Sequence, residues 1–226
     1  MDTVRVMRSK DEAKASYDRM SPFYSLVAGQ SERKFVDRGL QMLAARRGES
    51  ILEIGFGTGG ALVSLAAAVG SDGEVHGIDI SPGMTDVTRR KLMKRGASGR
   101  VRLDVGDAVD LPYETGSFDA VFMSFTLELF DNPEIPVILA ECGRVLAEGG
   151  RVCVVAMSGL GKQGMMSSLY LLAHARIPNY VDCRPIFTAR SLGEAGFVVK
   201  DRDLSSMWWL PVETVLAEKV AGHVPT

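Results

Sequence analysis

The stretch that most constrains this chain is Ile51-Leu52-Glu53-Ile54-Gly55-Phe56-Gly57-Thr58-Gly59-Gly60. A short apolar run carrying one acidic residue enters a turn rich in glycine. The apolar segment Ala61-Leu62-Val63-Ser64-Leu65-Ala66-Ala67-Ala68 follows at once. Strand, glycine turn and helix start together make a cradle. Glycine has no Cβ, so the backbone turns sharply and lets a bound molecule come close. The unbonded N–H groups of the first helical turn then face that molecule. This arrangement predicts a nucleotide-like ligand. Two spacings fit the turn. Gly55, Gly57 and Gly60 satisfy G-x-G-x-x-G, the dinucleotide fingerprint. Glu53, Gly55, Gly57 and Gly59 satisfy Glu-x-Gly-x-Gly-x-Gly. The turn alone does not choose between them, and a tight turn with no ligand is a third reading.

The residues downstream narrow the choice. Glu74-Val75-His76-Gly77-Ile78-Asp79-Ile80-Ser81 reads as a second strand ending in a carboxylate. Asp79 lies at about the 20-residue distance at which an acidic side chain reaches ribose hydroxyls. A third strand, Val101 to Val105, runs into Gly106-Asp107-Ala108, and a fourth spans Ser117 to Met123. Arg144 to Val152 reads as a helix end, a Gly149-Gly150 turn and a fifth strand. His76, inside the second strand, is expected to be a packed core histidine.

Taken in order from about Glu49 to Val155, these motifs resemble the series of the class I S-adenosylmethionine-dependent methyltransferases. The resemblance implies an α/β, Rossmann-like, doubly wound and mainly parallel sheet, with S-adenosylmethionine as cofactor. By the same resemblance, Glu53 and the backbone of Gly55, Gly57, Thr58 and Gly59 hold the methionine end. Asp79 takes the ribose, Ile80 lies against the adenine, and Asp107 accepts the adenine amino group with Ala108 beside it. Ser124 and Phe125, after the fourth strand, line the channel for methyl transfer. NAD binding by an oxidoreductase, and a non-catalytic cofactor binder, are the alternatives outside this class.

Alternation of strand and helix patterns supports the same architecture. Helices are expected near Ser9 to Met20, Ser31 to Arg46, Gly59 to Val69, Pro82 to Gly96, Pro133 to Ala147 and Thr188 to Ala195. Ser81-Pro82 starts its helix well, because serine caps and proline suits the first turn. Phe197 to Val199 and Leu204 to Leu210 are expected to pair as closing strands, one antiparallel. That places the Met207-Trp208-Trp209-Leu210 run in a core strand. One domain is expected: a helical cap over 1–48, a cofactor core over 49–157, a substrate-side insertion over 158–187 and a sheet completion over 188–226.

The two segments outside the core are expected to hold the acceptor, because ligands of open α/β sheets sit beyond the strands' carboxyl ends. Ala15-Ser16-Tyr17-Asp18-Arg19-Met20-Ser21-Pro22-Phe23-Tyr24 resembles the Tyr-Asp entry of the ubiquinone/menaquinone C-methyltransferase group. That resemblance puts Tyr17 on the cofactor and Tyr24 near the acceptor; packing against the core is the competing role for both. Met165, Met166, Leu169, Leu172 and Ala173 recur at helical spacing, and Met165 and Tyr170 are candidates for a greasy acceptor. An ordinary packed helix explains the same spacing. Arg184, in the run Tyr180-Val181-Asp182-Cys183-Arg184-Pro185, either binds an anionic substrate or bridges to Asp182. Glu128, Tyr24 and His174 are the candidates for moving a proton, although a solvated or capping carboxylate also explains Glu128. His174, Asp182 and Cys183 match no zinc spacing, so no metal is expected.

Composition limits the classes of partner. The 226 residues carry a formal net charge of −2, which gives no general electrostatic drive toward nucleic acid. Apolar runs stop well short of a membrane span. Met1 to Arg8 lacks the apolar core of a signal peptide, and three cysteines are too few and scattered for a disulfide framework. A cytoplasmic protein is expected, acting on a small-molecule or lipophilic acceptor. Peripheral membrane contact is compatible if that acceptor is a lipid, and nothing in the sequence specifies an oligomeric state. A quinone-ring carbon is the leading acceptor and an amine such as a phospholipid headgroup the alternative.

Overall fold

The computed structural model describes Ala15 and residues 29–160, 184–207 and 209–220. The chain enters through helix α1 (Gly29–Leu43) and then alternates: β1 (Ser50–Ile54), α2 (Gly60–Val69), β2 (Glu74–Asp79), α3 (Pro82–Lys94), β3 (Val101–Val105) and β4 (Phe118–Ser124). A short 3-10 turn (Leu127–Leu129) leads to α4 (Glu134–Val145), β5 (Leu146–Met157), α5 (Thr188–Glu194), β6 (Phe197–Met207) and β7 (Leu210–Lys219). The strands form one sheet in the order β3-β2-β1-β4-β5-β7-β6. The first five are parallel, and β7 runs antiparallel to both of its neighbours.

Strand alternation sets the two layers, because successive side chains point to opposite faces. Leu52, Ile54, Val121 and Met123 pack with Ile138 and Leu139 of α4 and Leu192 of α5. Ile51, Ala120 and Phe122 face the other way, against Phe35 of α1, Leu62 of α2 and Leu92 of α3. The doubly wound sheet expected from the alternation is therefore present. The Ser81 cap is also as expected: Met84 N–H donates to Ser81 Oγ at 3.0 Å, with Pro82 in the first turn. His76 is buried, with its ring edge-on to Tyr113 and Phe118 at centroid distances of 5.6 and 5.2 Å.

Three expectations need correction. The fifth strand begins at Leu146, before the Gly149-Gly150 pair. Its register with β4 jumps from Phe118↔Leu146 to Ala120↔Arg151, so a bulge absorbs the glycines. The closing strands lie further along than expected: β6 runs unbroken from Phe197 to Met207, and its partner is Leu210 to Lys219. Met207 pairs with Leu210, so the chain reverses between them and the Met-Trp-Trp-Leu run is a hairpin tip, not a core strand. Trp209 sits there at φ 67° and 78 % exposed. Finally, α1 does more than cap the cofactor core, because it packs on the sheet against β4, β5 and β7. The helix expected at Ser9 to Met20 lies outside the described residues except for Ala15.

Candidate active site

Strand order reverses between β1 and β4, since the chain first builds outward through β2 and β3 and then returns to β4. Crossing loops leave opposite ways at such a point, and a crevice opens beyond the carboxyl ends. A cavity of about 610 Å³ occupies that place, within the usual range for a small-molecule site. Its wall includes Glu53, Gly55, Gly57 and Thr58 from the first turn and Asp79 and Ile80 from the end of β2. It continues through Asp107 and Ala108 after β3 and Ser124 and Phe125 at the end of β4. Of the cofactor residues expected from sequence, Gly59 is not on the wall. Tyr17 lies outside the described residues, as do Tyr24, Met165, Tyr170, His174, Asp182 and Cys183.

The glycine turn is held from several sides. Gly55 N–H donates to Ile78 C=O at 2.8 Å, which stitches the turn to β2. Gly57 N–H donates to Asp79 Oδ2 at 2.9 Å, and Ser81 N–H donates to Asp79 Oδ1 at 2.9 Å. One carboxylate thus fixes both the cofactor turn and the start of α3. Thr88 Oγ1 donates to Gly57 C=O at 2.8 Å. Gly57 adopts φ 49°, and a Cβ there would meet no atom within 4 Å, so it would project into open space at the cavity wall.

Glu53 is 1 % exposed and yet lines the cavity. Burial pushes its carboxyl well above the usual carboxylate range, with the nearby Asp79 charge adding to the effect and Lys91 opposing it. The backbone N–H of Leu62, in the first turn of α2, also opposes this rise, while Oε2 has no partner. A buried acceptor left open on a cavity wall is what a ligand's N–H group would satisfy. With the open face at Gly57, it makes this end of the cavity fit a ligand that presents an N–H group.

Phe125 follows β4 at φ 51°, a left-handed conformation rare for a bulky residue. Its N–H donates to Val155 C=O at 2.7 Å, and its ring meets Phe35 of α1 edge-on at 6.3 Å. Strain of this kind clusters at functional sites, and here it turns Phe125 onto the cavity wall.

Two residues named from sequence take positions that their residue types did not suggest. Glu128 is not solvated: it is fully buried behind the wall, where its Oε1 accepts the Met157 N–H at 3.0 Å. Burial, opposed by that N–H and by Arg184, pushes its carboxyl up to about 8. Arg184 is also fully buried and lies off the cavity wall. Its guanidinium donates to Asn132 Oδ1 at 2.6 Å and to the Phe130 carbonyl. It ties the loop after β4 to the start of α5, in place of the anion-binding role considered for it. Sequence reasoning missed Glu32, Lys91 and Arg95 on the wall. Among the described residues, no group of His, Cys, Asp and Glu is arranged to hold a metal ion.

The Glu128 environment makes stability depend on pH. The folded chain keeps this carboxyl protonated where an unfolded glutamate, near 4.5, has already ionised. The folded state therefore binds the extra proton, and stability falls as pH rises from about 4.5 toward 8. Glu128→Gln keeps an acceptor for Met157 and removes the ionisation. Urea unfolding should show the variant roughly 1–3 kcal/mol more stable than wild type at pH 8 and no more stable at pH 5. Parallel pH profiles for the two proteins would refute this.

Residues 51–150 match the methyltransferase domain family. Demethylmenaquinone methyltransferase of Bacillus velezensis is 30% identical over 156 residues, covering 69% of this chain and 64% of that protein. The Symbiobacterium thermophilum protein of the same name is 37% identical over 150 residues, covering 65% and 57%. Among solved structures, the [4+2]-cyclase SpnF superposes with a TM-score of 0.78 at 20% identity, covering 98% of this chain and 100% of that one. An S-adenosylmethionine-dependent methyltransferase from Aquifex aeolicus gives 0.65 at 18% identity, covering 92% and 98%. Residues 51–150 thus carry a methyltransferase-type domain on the fold of the class I methyltransferases. Both sequence relatives bear the name demethylmenaquinone methyltransferase, and the chain spans less than two thirds of their length.

Proposed function

We propose that this chain transfers a methyl group from S-adenosylmethionine to a ring carbon of a reduced, lipophilic quinone precursor. The observation that carries the cofactor half is the buried, open Oε2 of Glu53 on the wall of the glycine cradle. The acceptor half rests on similarity to demethylmenaquinone methyltransferases and on the apolar wall near β4, where Phe125, Leu129 and Phe130 line the cavity. Glu53 would hold the cofactor's amino group, Asp79 its ribose, and Asp107 the adenine edge. When bound, the sulfonium cofactor supplies an electrophilic methyl group. The protein's part is then to bind, to exclude water and to hold the acceptor carbon in line, and such positioning supplies about 7–11 kcal/mol. Among the described residues no helix is long and apolar enough to cross a membrane. We place the chain in the cytoplasm, meeting a lipophilic acceptor at the membrane surface.

Purified protein incubated with S-adenosylmethionine should methylate reduced demethylmenaquinone and leave phosphatidylethanolamine unmodified, as read by mass spectrometry. Methylation of the amine and not of the quinol would replace this reading by an N-methyltransferase. Glu53→Ala should weaken S-adenosylhomocysteine binding roughly 10–100-fold, the worth of one or two charge-assisted hydrogen bonds. Unchanged affinity in a calorimetric titration would remove Glu53 from the site.

A further inference from the structure

We propose that Glu32 is the catalytic proton acceptor of this reaction, a role that rests on the quinol-methylation reading. The argument starts from α1. Glu32, Val36 and Leu40 are spaced four apart, so they share one helix face, and all three line the cavity. Phe35, one turn along, packs its ring against Phe125, which pins this end of α1 beside the end of β4. The ribose and adenine residues, Asp79 and Asp107, follow β2 and β3. Strand order places β3 three strands away from β4, roughly 14 Å at the usual spacing of sheet strands. Glu32 therefore stands at the end of the cavity opposite the adenine. There the wall is made by Phe125, Leu129 and Phe130.

The charged groups around it are compatible with proton uptake. Arg33 and Asp37 flank it on α1, and Asp131 and Glu134 stand on the wall beyond Phe130. Glu128 lies behind the wall, close enough for the two carboxyls to interact. The helix N-terminus favours a charged Glu32, but burial outweighs it and pushes the carboxyl up to about 7. Glu128, the acidic candidate visible in sequence, holds the Met157 N–H through Oε1 and is not part of the cavity wall.

The proton balance of ring methylation requires such a group. The quinol hydroxyl gives its proton to Glu32, and the oxygen's electrons feed through the ring to the carbon that takes the methyl group. A carbon–carbon bond forms, the sulfur–methyl bond breaks, and the sulfur keeps its electron pair as S-adenosylhomocysteine. The hydrogen on the methylated carbon leaves as a proton while the ring oxygen regains one from solvent, which restores the quinol. Glu32 then returns its own proton to water, so each turnover releases one.

The test compares wild type with Glu32→Gln and Glu32→Asp. Calorimetry with S-adenosylhomocysteine should give affinities within about threefold for all three. With reduced demethylmenaquinone, kcat should fall at least ~100-fold in Glu32→Gln, the usual worth of a general base, and partly recover in Glu32→Asp. Wild-type kcat should rise to a plateau around pH 7, and this limb should vanish in Glu32→Gln. In protein labelled with 13C at the glutamate carboxyls, the resonance lost in Glu32→Gln should titrate near 7. A kcat within threefold of wild type would overturn the assignment alone and leave the quinol reading intact. A parallel loss of S-adenosylhomocysteine affinity would overturn it in favour of a cofactor-binding role. Absence of methylated quinol with wild type, despite intact S-adenosylhomocysteine binding, would overturn the acceptor reading and this assignment together.

Discussion

Gly55→Ala should lower unfolding free energy by roughly 2–5 kcal/mol and abolish measurable cofactor binding. Gly55 sits at φ 71°, and a Cβ built there would lie 2.3 Å from Thr126 Cγ2 and 2.4 Å from its Oγ1. Left-handed backbone costs a residue with a Cβ about 1–2 kcal/mol, and overpacking adds about 1–3 kcal/mol. Thr126 cannot step aside cheaply, because its hydroxyl donates to Ser124 C=O at 3.0 Å. Gly57→Ala makes the contrast. Its φ of 49° carries the backbone cost, but no atom lies within 4 Å of the added methyl. It should therefore cost only about 1–2 kcal/mol of stability while still obstructing the cofactor. Urea unfolding and S-adenosylhomocysteine titration on both variants check this pair. Equal losses of stability would show that the Thr126 contact is not what restricts Gly55.

Asp79→Ala is the second large effect. This carboxylate accepts N–H groups from Gly57 and Ser81 at 2.9 Å each, so its loss releases the cofactor turn and the start of α3 together. Hydrogen bonds to a charged group contribute about 1.5–3 kcal/mol each. Cofactor affinity should fall ~100-fold or more, and stability by about 3–6 kcal/mol, the worth of the two bonds. A specific signature separates ribose recognition from general loosening. The 2′-deoxy analogue of S-adenosylhomocysteine should bind wild type more weakly than the parent compound. In Asp79→Ala the two ligands should bind alike. If the analogue is penalised equally in both proteins, Asp79 does not hold the ribose.

The parts of this molecule readable from sequence are those where backbone geometry demands particular residues. The turn from Gly55 to Gly59 needs positive φ at three glycines, and so the cradle was visible at once. Ser81-Pro82 announced α3 for the same kind of reason. β7 was not visible because both of its faces are covered: Val212, Glu213, Thr214 and Val215 are all buried, which erases the alternation that marks a strand. Glu213 and Thr214 also read as surface residues, whereas Glu213 is buried and meets the exposed Arg202 through Oε1 at 2.6 Å. The Met-Trp-Trp-Leu run misled in the opposite sense, since a reversal put its second tryptophan outside.

The site divides in the same way. Asp79 was placed by counting from the glycines, and Asp107 by the resemblance of the motif after β3. Glu32 carried no signal, being one charge in a polar-looking helix, Gln30-Ser31-Glu32-Arg33-Lys34. The packing of α1 on the sheet, with Phe35 against Phe125, brings it to the cavity. Glu128 and Arg184 look reactive in sequence and prove to be buried ties of the loop after β4. Nor does the fold by itself name the reaction: one of the structures that superposes on this chain is called a [4+2]-cyclase.

The central claim is that the Glu53 cradle holds S-adenosylmethionine. Titrating the purified protein in parallel with S-adenosylmethionine, S-adenosylhomocysteine and NAD tests it most directly. Saturable one-site binding of both adenosyl compounds, with no heat from NAD, is the predicted result. Binding of NAD with none for either adenosyl compound would contradict the account and return the same glycines to the dinucleotide fingerprint.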